Sequence, residues 1–103
     1  MSGPTIFKNK FEIYHILVSH EYEAKDILLK LKSPDQFSDF AKKYSKCSSA
    51  KSGGLLGAYT DISAKGRFVE DFENACKELP LNQISKPIRT QFGWHIILKN
   101  NIK

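Results

Sequence analysis

Long apolar runs, arginine and cysteine are scarce in this chain of 103 residues. No apolar stretch approaches the roughly 20 residues that a membrane-spanning helix needs, and the segment 1–11 has no hydrophobic core of the kind found in signal peptides. The 2 cysteines therefore favour free thiols in a reducing compartment over a disulfide. We expect a cytoplasmic protein that does not enter membranes, or an exported one if the sequence is a domain of a longer chain.

The net charge of +5 comes almost entirely from lysines scattered along the sequence. Arg67 and Arg89 are the only arginines, whereas nucleic-acid-binding proteins usually concentrate arginine and lysine on one element. We therefore expect a solvated basic surface with weak attraction for acidic partners and no specific nucleic-acid site. The length and the 41% of hydrophobic residues are typical of one globular domain, which we expect to be a monomer.

The first half of the chain predicts a strand followed by two helices. Residues 11–18 are rich in β-branched and aromatic side chains and are apolar on both faces, as in a central strand. Alternation places Ile13, His15 and Leu17 on one of these faces. The amphipathic stripes of the two helices are formed by Ala24, Ile27, Leu28 and Leu31 and by Phe37, Phe40, Ala41 and Tyr44.

A capping motif and a proline delimit further elements. Ser33 and Gln36 have the spacing of a capping box, with Pro34 at the first position of the second helix. Pro87 cannot donate a hydrogen bond to a sheet, so its strand lies at an edge or begins late. The remaining predicted elements are a polar flexible loop at 45–54, a strand at 55–59, a connection at 61–66, a helix with the stripe Phe68, Phe72, Ala75, Cys76 and Leu79, and a hairpin of strands at 84–90 and 94–100. This order indicates an α+β fold.

Four segments carry a more specific signal because they occur together in this order. They are the sequence HILV at 15–18, the sequence SKCSSAKSGGLLG at 45–57, the pair Phe68 and Phe72, and the sequence TQFGWHII at 90–97. Over about residues 11–100, after a flexible segment 1–10, the chain resembles the parvulin family of peptidyl-prolyl cis/trans isomerases. The resemblance implies the FKBP-like parvulin fold, a four-stranded antiparallel sheet surrounded by about four short helices in an order such as βαααβαββ.

The resemblance also implies an enzyme that rotates X–Pro bonds in flexible or unfolded polypeptides, assists protein folding and needs neither a cofactor nor a metal. It assigns two groups of residues. The catalytic group is His15, Cys47, Thr90 and His95, and the substrate-binding group is Leu56, Phe68, Phe72 and Phe92. Phe68 departs from the methionine that is common in the family, which changes the expected shape of the proline pocket.

The residue types favour a noncovalent mechanism. His15 and His95 lie in apolar strands, where a histidine is usually a hydrogen-bonded structural residue, so we expect the pair to brace the pocket. Cys47 lies at a position where other parvulins carry aspartate, and a carboxylate cannot replace a thiol nucleophile. We therefore expect Cys47 to polarise the substrate carbonyl without bonding to it. Cys76 lies on a helical apolar stripe and is expected to fill the core.

Three other functions remain as alternatives. The first is a parvulin-fold protein that binds proline-containing or unfolded segments without catalysis; it is disfavoured because the set of family residues is intact. The second is a thiol hydrolase using Cys47 and a histidine, which requires an activating base and an orienting group. The third is a zinc site from Cys47, Cys76, His15 and His95, whose spacing matches no known zinc motif.

The segment after the first strand predicts the charge preference of the site. Phosphate-selective parvulins carry a long basic loop there, whereas this chain has Glu21 and Glu23 and no arginine. We therefore expect these carboxylates at the mouth of the site, no selectivity for phosphorylated substrates and a mild penalty for phosphoserine before proline. The apolar walls expected around Phe68 and Leu56 favour leucine or lysine at that position instead.

Overall fold

The computed structural model describes residues 10–60 and 66–101. The predicted flexible segment 1–10 and the predicted connection 61–66 therefore fall almost wholly outside the described residues. The elements are β1 (Phe11–Val18), α1 (Glu21–Lys30), α2 (Phe37–Tyr44), β2 (Leu55–Tyr59), α3 (Glu70–Glu78), β3 (Ile88–Thr90) and β4 (Gly93–Asn101), with short 3-10 helices at Pro34–Gln36 and Ser48–Ser52.

The four strands form one antiparallel sheet in the order β2-β1-β4-β3. β1 pairs with β4 over its whole length, from Phe11 opposite Asn101 to Val18 opposite Trp94. The predicted α+β fold with a four-stranded antiparallel sheet is thus confirmed. The described residues form three α-helices and two 3-10 helices, where about four short helices were expected.

The central strand β1 separates two apolar clusters, as its apolar faces predict. Ile16 and Val18 pack on one face against α1 and α2, while Phe11 and Ile13 pack on the other against α3. Each of these four side chains is buried. Because side chains alternate along a strand, His15 and Leu17 fall on the α3 face.

A buried lysine joins α3 to the sheet. The Lys99 ammonium on β4 donates to the carbonyl of Cys76 at 2.8 Å and lies 5.0 Å from the centre of the Phe11 ring. A cation here satisfies one of the carbonyls that the end of a helix leaves without a partner. Cys76 is buried in the same cluster, as expected for a core residue. This attachment fixes the helix that carries Phe72.

Three local predictions were wrong in detail. Ser33 makes no side-chain capping hydrogen bond; the Gln36 amide donates to the Ser33 carbonyl at 3.1 Å, and Gln36 Oε1 accepts from the Lys32 amide at 2.7 Å. The third helix begins at Glu70 and not at Phe68. The loop at 45–54 contains the 3-10 helix Ser48–Ser52.

The strand that contains Pro87 is an edge strand and begins late, at Ile88. Upstream of the proline, Ser85 replaces regular pairing: its amide donates to the Ile97 carbonyl at 2.8 Å, and its hydroxyl oxygen accepts from the Ile97 amide at 2.9 Å. The Ile97 amide of β4 is thus satisfied by a side-chain hydroxyl in place of a backbone carbonyl at this point.

Candidate active site

Two histidines on adjacent strands share a hydrogen bond. His15 lies opposite Ile97 in the β1–β4 register, so His95 is its diagonal neighbour on the same face of the sheet. The two Nδ1 atoms are 3.0 Å apart, and the rings stack with an interplanar angle of 20°. Thr90 extends the chain of contacts, since its hydroxyl oxygen lies 2.7 Å from His95 Nε2 and accepts from the Phe92 amide at 3.1 Å.

The network admits two proton arrangements, because a neutral imidazole carries one N–H. If His95 donates through Nδ1, its Nε2 accepts from the Thr90 hydroxyl and His15 carries its proton on Nε2. If His15 donates through Nδ1, His95 donates to Thr90 through Nε2 and His15 Nε2 is a bare acceptor. In either case His15 Nε2 is buried without a hydrogen-bond partner among the described residues.

Burial keeps both histidines neutral. Desolvation and, to a lesser extent, the neighbouring His95 together lower the pKa of His15 to about 4. Desolvation likewise lowers the pKa of His95 to about 4. Two imidazolium ions at this distance would repel each other, so the pair forms a neutral polar floor and holds no net charge near pH 7.

An apolar cavity of about 420 Å³ lies over this pair. Phe72 stands on edge to both imidazoles, with centroid distances of 5.7 Å to His15 and 5.1 Å to His95. Phe68 packs on Phe72 at 4.9 Å, and Phe92 lies at the rim with 61% of its surface exposed. The described lining residues are His15, Leu17, Cys47, Leu56, Arg67, Phe68, Val69, Phe72, Phe92 and His95.

Backbone hydrogen bonds hold the Cys47 loop against β1. Leu17 binds two consecutive residues of this loop, since its amide donates to Ser45 Oγ at 3.0 Å and its carbonyl accepts from the Lys46 amide at 2.8 Å. The His15 amide donates to the Gly54 carbonyl at 2.9 Å. Gly54 has φ +87°, and an added Cβ would lie 2.5 Å from the His15 carbonyl oxygen. The close approach therefore requires glycine.

The Cys47 thiol is half-buried and precedes the 3-10 helix Ser48–Ser52. Desolvation works to raise the pKa of Cys47, but the side-chain and backbone groups of Ser49 and Ser48 stabilise the thiolate, and the net effect is a lowered pKa. Within the described part of the chain no hydrogen bond joins this thiol to either histidine. The geometry therefore lacks the nucleophile–base contact that a thiol hydrolase needs.

The eight residues assigned from the sequence come together at this site. Seven of them line the cavity, and Thr90 lies behind His95, to which it is hydrogen-bonded. Sequence reasoning did not assign Leu17, Arg67 or Val69 to the cavity. Strand alternation already placed Leu17 on the face of His15, whereas Arg67 and Val69 are recognisable only as the neighbours of Phe68.

The expected position of Glu21 and Glu23 at the mouth of the site was wrong. Both belong to α1, which packs on the opposite face of the sheet. Glu23 lines a separate cavity of about 390 Å³ together with Val18 and Tyr44, and Glu21 pairs with Lys25 at 3.5 Å. α1 begins only three residues after β1, so the chain turns away before these carboxylates reach the cleft.

Two further features of the described residues bear on the alternatives. Residues 10–60 and 66–101 contain no group of three or more histidine, cysteine or acidic side chains that could hold a metal ion, and Cys47 and Cys76 are both free thiols. No helix within these ranges is long and apolar enough to cross a membrane.

A small α+β domain with an apolar cleft above a hydrogen-bonded histidine pair has the architecture of a rotamase. The family model described as "Rotamase: PPIC-type PPIASE domain" matches residues 15–101. The chain therefore belongs to the PpiC-type, or parvulin, family of peptidyl-prolyl cis/trans isomerases, and the resemblance seen in the sequence is confirmed.

Relatives agree with this assignment. The chain is 40% identical over 92 residues to "Foldase protein PrsA" of Bacillus subtilis, which covers 89% of this chain and 30% of that protein. It is 36% identical over 91 residues to the "Parvulin-like PPIase" of Rickettsia typhi, covering 87% and 32%. The chain thus spans about a third of the length of these curated relatives. The solution structure of NmPin, the parvuline of Nitrosopumilus maritimus, superimposes with a TM-score of 0.75 at 43% identity, covering 95% of this chain and 99% of that one.

Proposed function

We propose that this chain accelerates the rotation of X–Pro peptide bonds in flexible polypeptides by noncovalent stabilisation of the twisted amide. The observation that carries the proposal is the apolar cavity, walled by Phe68, Phe72 and Phe92, directly over a neutral histidine pair. Its aromatic walls match a pyrrolidine ring in size and polarity. The proposed partners are proline-containing segments that are unfolded or mobile enough to enter the cleft.

Such a catalyst has to lower a rotational barrier and needs no covalent chemistry. The barrier of roughly 18–20 kcal/mol arises from amide resonance, and no covalent bond has to break. Each tenfold acceleration requires the twisted amide to be bound about 1.4 kcal/mol more tightly than the planar forms. Contacts to the pyrrolidine ring are similar in both states, so they anchor the substrate and contribute mainly to affinity. The stronger binding of the twisted amide relative to the planar forms therefore has to come from the groups around the rotating carbonyl.

The lining of the cavity supplies the groups that surround the rotating carbonyl. Removing water from the carbonyl favours the less polar twisted state, and the apolar walls achieve this. The Cys47 thiol is half-buried in the cavity lining, whereas Nε2 of the lining residue His15 is buried without a hydrogen-bond partner among the described residues. We propose that the thiol interacts with the amide as it loses its planarity, while His15, His95 and Thr90 act as positioning residues that brace this side of the cavity.

Neutral histidines argue for this division of roles. With both pKa values lowered to about 4, neither ring is charged at neutral pH, and neither is matched to proton transfer there. Cys47 likewise has no hydrogen-bonded base among the described residues. A polar contact without covalent bonding is the role that thiol and carboxylate groups share, which is consistent with the aspartate that other parvulins carry at this position.

Proline-limited refolding of a model protein tests the function, because uncatalysed X–Pro isomerisation makes such phases slow. The chain should accelerate the slow phase in proportion to its concentration. Phe92→Ala should reduce the acceleration at least tenfold with little loss of stability, because Phe92 is 61% exposed. Tyr22→Ala is the matched control: Tyr22 is 70% exposed and lies on the opposite face of the sheet, and its removal should leave the acceleration unchanged.

If the model protein binds to the chain but the rate of its slow refolding phase is unchanged, the chain is a parvulin-fold binder and not a catalyst.

Two further expectations stay predictions from the sequence. The monomeric state is tested by light scattering, and a cytoplasmic location by fractionating cells that express the complete gene.

A further inference from the structure

Arg67 gives the apolar cavity a charged edge. It is the only one of the ten described lining residues with a charged side chain, since burial lowers the pKa of His15 and of His95 to about 4 and keeps both neutral. The side chain is exposed and directly precedes Phe68 in the wall. A group held by the aromatic residues of the cavity therefore has a guanidinium beside it.

No carboxylate of the described residues neutralises this guanidinium. Glu70 and Asp71 follow in the first turn of α3, yet neither forms an ion pair with Arg67. Glu73 is engaged elsewhere, because its carboxylate accepts from the Gly66 amide at 2.7 Å and lies 3.8 Å from the Lys77 ammonium. The described lining contains no acidic residue, so the charge that the described residues bring to the cleft is positive.

We propose that Arg67 forms an anion-binding subsite at the edge of the cavity, and that it selects substrates with a carboxylate side chain, aspartate or glutamate, next to the isomerised proline. The inference rests on the proposed function, of which it specifies the substrate class. A guanidinium binds a carboxylate through two parallel hydrogen bonds, and the apolar wall on one side reduces screening by water. The proposal replaces the expected preference for lysine before proline, whereas the expected tolerance for leucine, which depends on the apolar walls around Phe68 and Leu56, stays a prediction.

The test compares matched peptides that differ only in the charge of one residue. One series carries glutamate, glutamine or lysine before the proline, and a second carries them after it, with kcat/KM measured by NMR exchange. In at least one series glutamate should exceed glutamine by about three- to fivefold at low salt, as for an exposed ion pair of good geometry. Lysine should fall below glutamine. Both differences should shrink as salt screens the exposed pair.

Three variants assign the preference to one side chain. Arg67→Gln should bring the ratio of glutamate to glutamine close to one. Arg67→Glu should reverse the order, so that lysine leads. Arg89→Gln is the control for net charge: Arg89 is the other arginine, is exposed on β3 with its guanidinium over the Trp94 ring, and lies outside the cavity. It should retain the wild-type ratio.

The inference is overturned if the wild-type protein treats glutamate and glutamine alike in both series, or if Arg67→Gln leaves the ratio intact. A phosphoserine peptide forms a separate arm, and a rate more than tenfold above that of glutamate would show a phosphate site in place of a carboxylate site. If no peptide is isomerised, the proposed function fails by itself. In that case the Kd values of the same peptides are measured by NMR titration. The ratio of the glutamate to the glutamine peptide, in the wild type and in the Arg67 variants, then shows whether the subsite exists.

Discussion

The neutral histidine pair makes the stability of the fold dependent on pH in a window where few other groups titrate. Burial lowers the pKa of both His15 and His95 from 6.5 to about 4. The unfolded chain therefore binds protons that the folded chain excludes. Stability is unaffected well above pH 6.5, falls as the pH decreases through 6.5, and levels off for these groups below about pH 4.

The pKa shifts fix the size of the effect. Between pH 7 and pH 5 each histidine should lower the free energy of unfolding by about 2 kcal/mol. The two together remove about 4 kcal/mol, which is a large part of the 5–15 kcal/mol that is typical of a domain. Carboxylates contribute little in this window, because their ordinary pKa values lie near or below about 4.

Urea unfolding followed by circular dichroism at pH 7, 6 and 5 measures this loss directly. His20→Gln removes the exposed histidine and should leave the dependence of the free energy of unfolding on pH unchanged. The double variant His15→Gln, His95→Gln should make this dependence much weaker. A free energy of unfolding that stays constant between pH 7 and pH 5 would refute the reasoning. So would a slope that disappears in His20→Gln and persists in the double variant.

Four further predictions follow from the same geometry. Cys47→Ala should weaken catalysis and Cys47→Asp should retain a measurable part of it; a covalent adduct on the native thiol together with a dead aspartate variant would contradict the noncovalent role. His15→Ala should lower the melting temperature as well as the rate, because an orphaned buried partner costs roughly 1–3 kcal/mol; abolished turnover at unchanged stability would instead indicate direct acid–base chemistry. Gly54→Ala should be far more destabilising in urea than Gly66→Ala, because both have positive φ but only the former places a Cβ 2.5 Å from the His15 carbonyl oxygen; equal losses would show that the close approach is unimportant. EDTA should leave the isomerisation rate unchanged, and a clear loss of rate would reopen the zinc alternative.

The strands of this fold were predictable because the polarity of their side chains depends directly on whether each face of the sheet is buried. Residues 11–18 are apolar on both faces, and the strand is central with a cluster on each side. The strand at 55–59 has the predicted bounds. Pro87 correctly predicted an edge strand, because a missing N–H has the same consequence in any tertiary context.

The ends of helices were less predictable because local hydrogen bonds compete for them. Phe68 and Phe72 fit one helical stripe and do lie on the same wall, yet Val69 is extended and the helix begins after it. In the loop at 45–54 the backbone closes on itself: the Ala50 amide donates to the Cys47 carbonyl, and the Gly54 amide to the Ser49 carbonyl. Serine-rich composition predicts a loop here but not this ordered turn.

The members of the candidate site were predicted from the motifs, but its electrostatics were not. The motifs brought His15, Cys47 and His95 into one set, and the fold places them around one cavity. The charge at the edge depends on which face of the sheet α1 covers, which no residue of α1 specifies alone. Glu23, which was expected at the mouth, lies on the far side of the sheet, and Arg67, which the sequence did not assign, lies at the cleft.

NMR exchange spectroscopy on a short peptide with a single X–Pro bond tests the central claim most directly. Without a catalyst the cis and trans forms interconvert over tens to hundreds of seconds, which is too slow for exchange cross peaks. A substoichiometric amount of the chain should produce these cross peaks, leave the ratio of cis to trans unchanged, and do so equally well in EDTA. Peptide resonances that shift on addition of the chain while exchange stays at the uncatalysed rate would contradict catalysis.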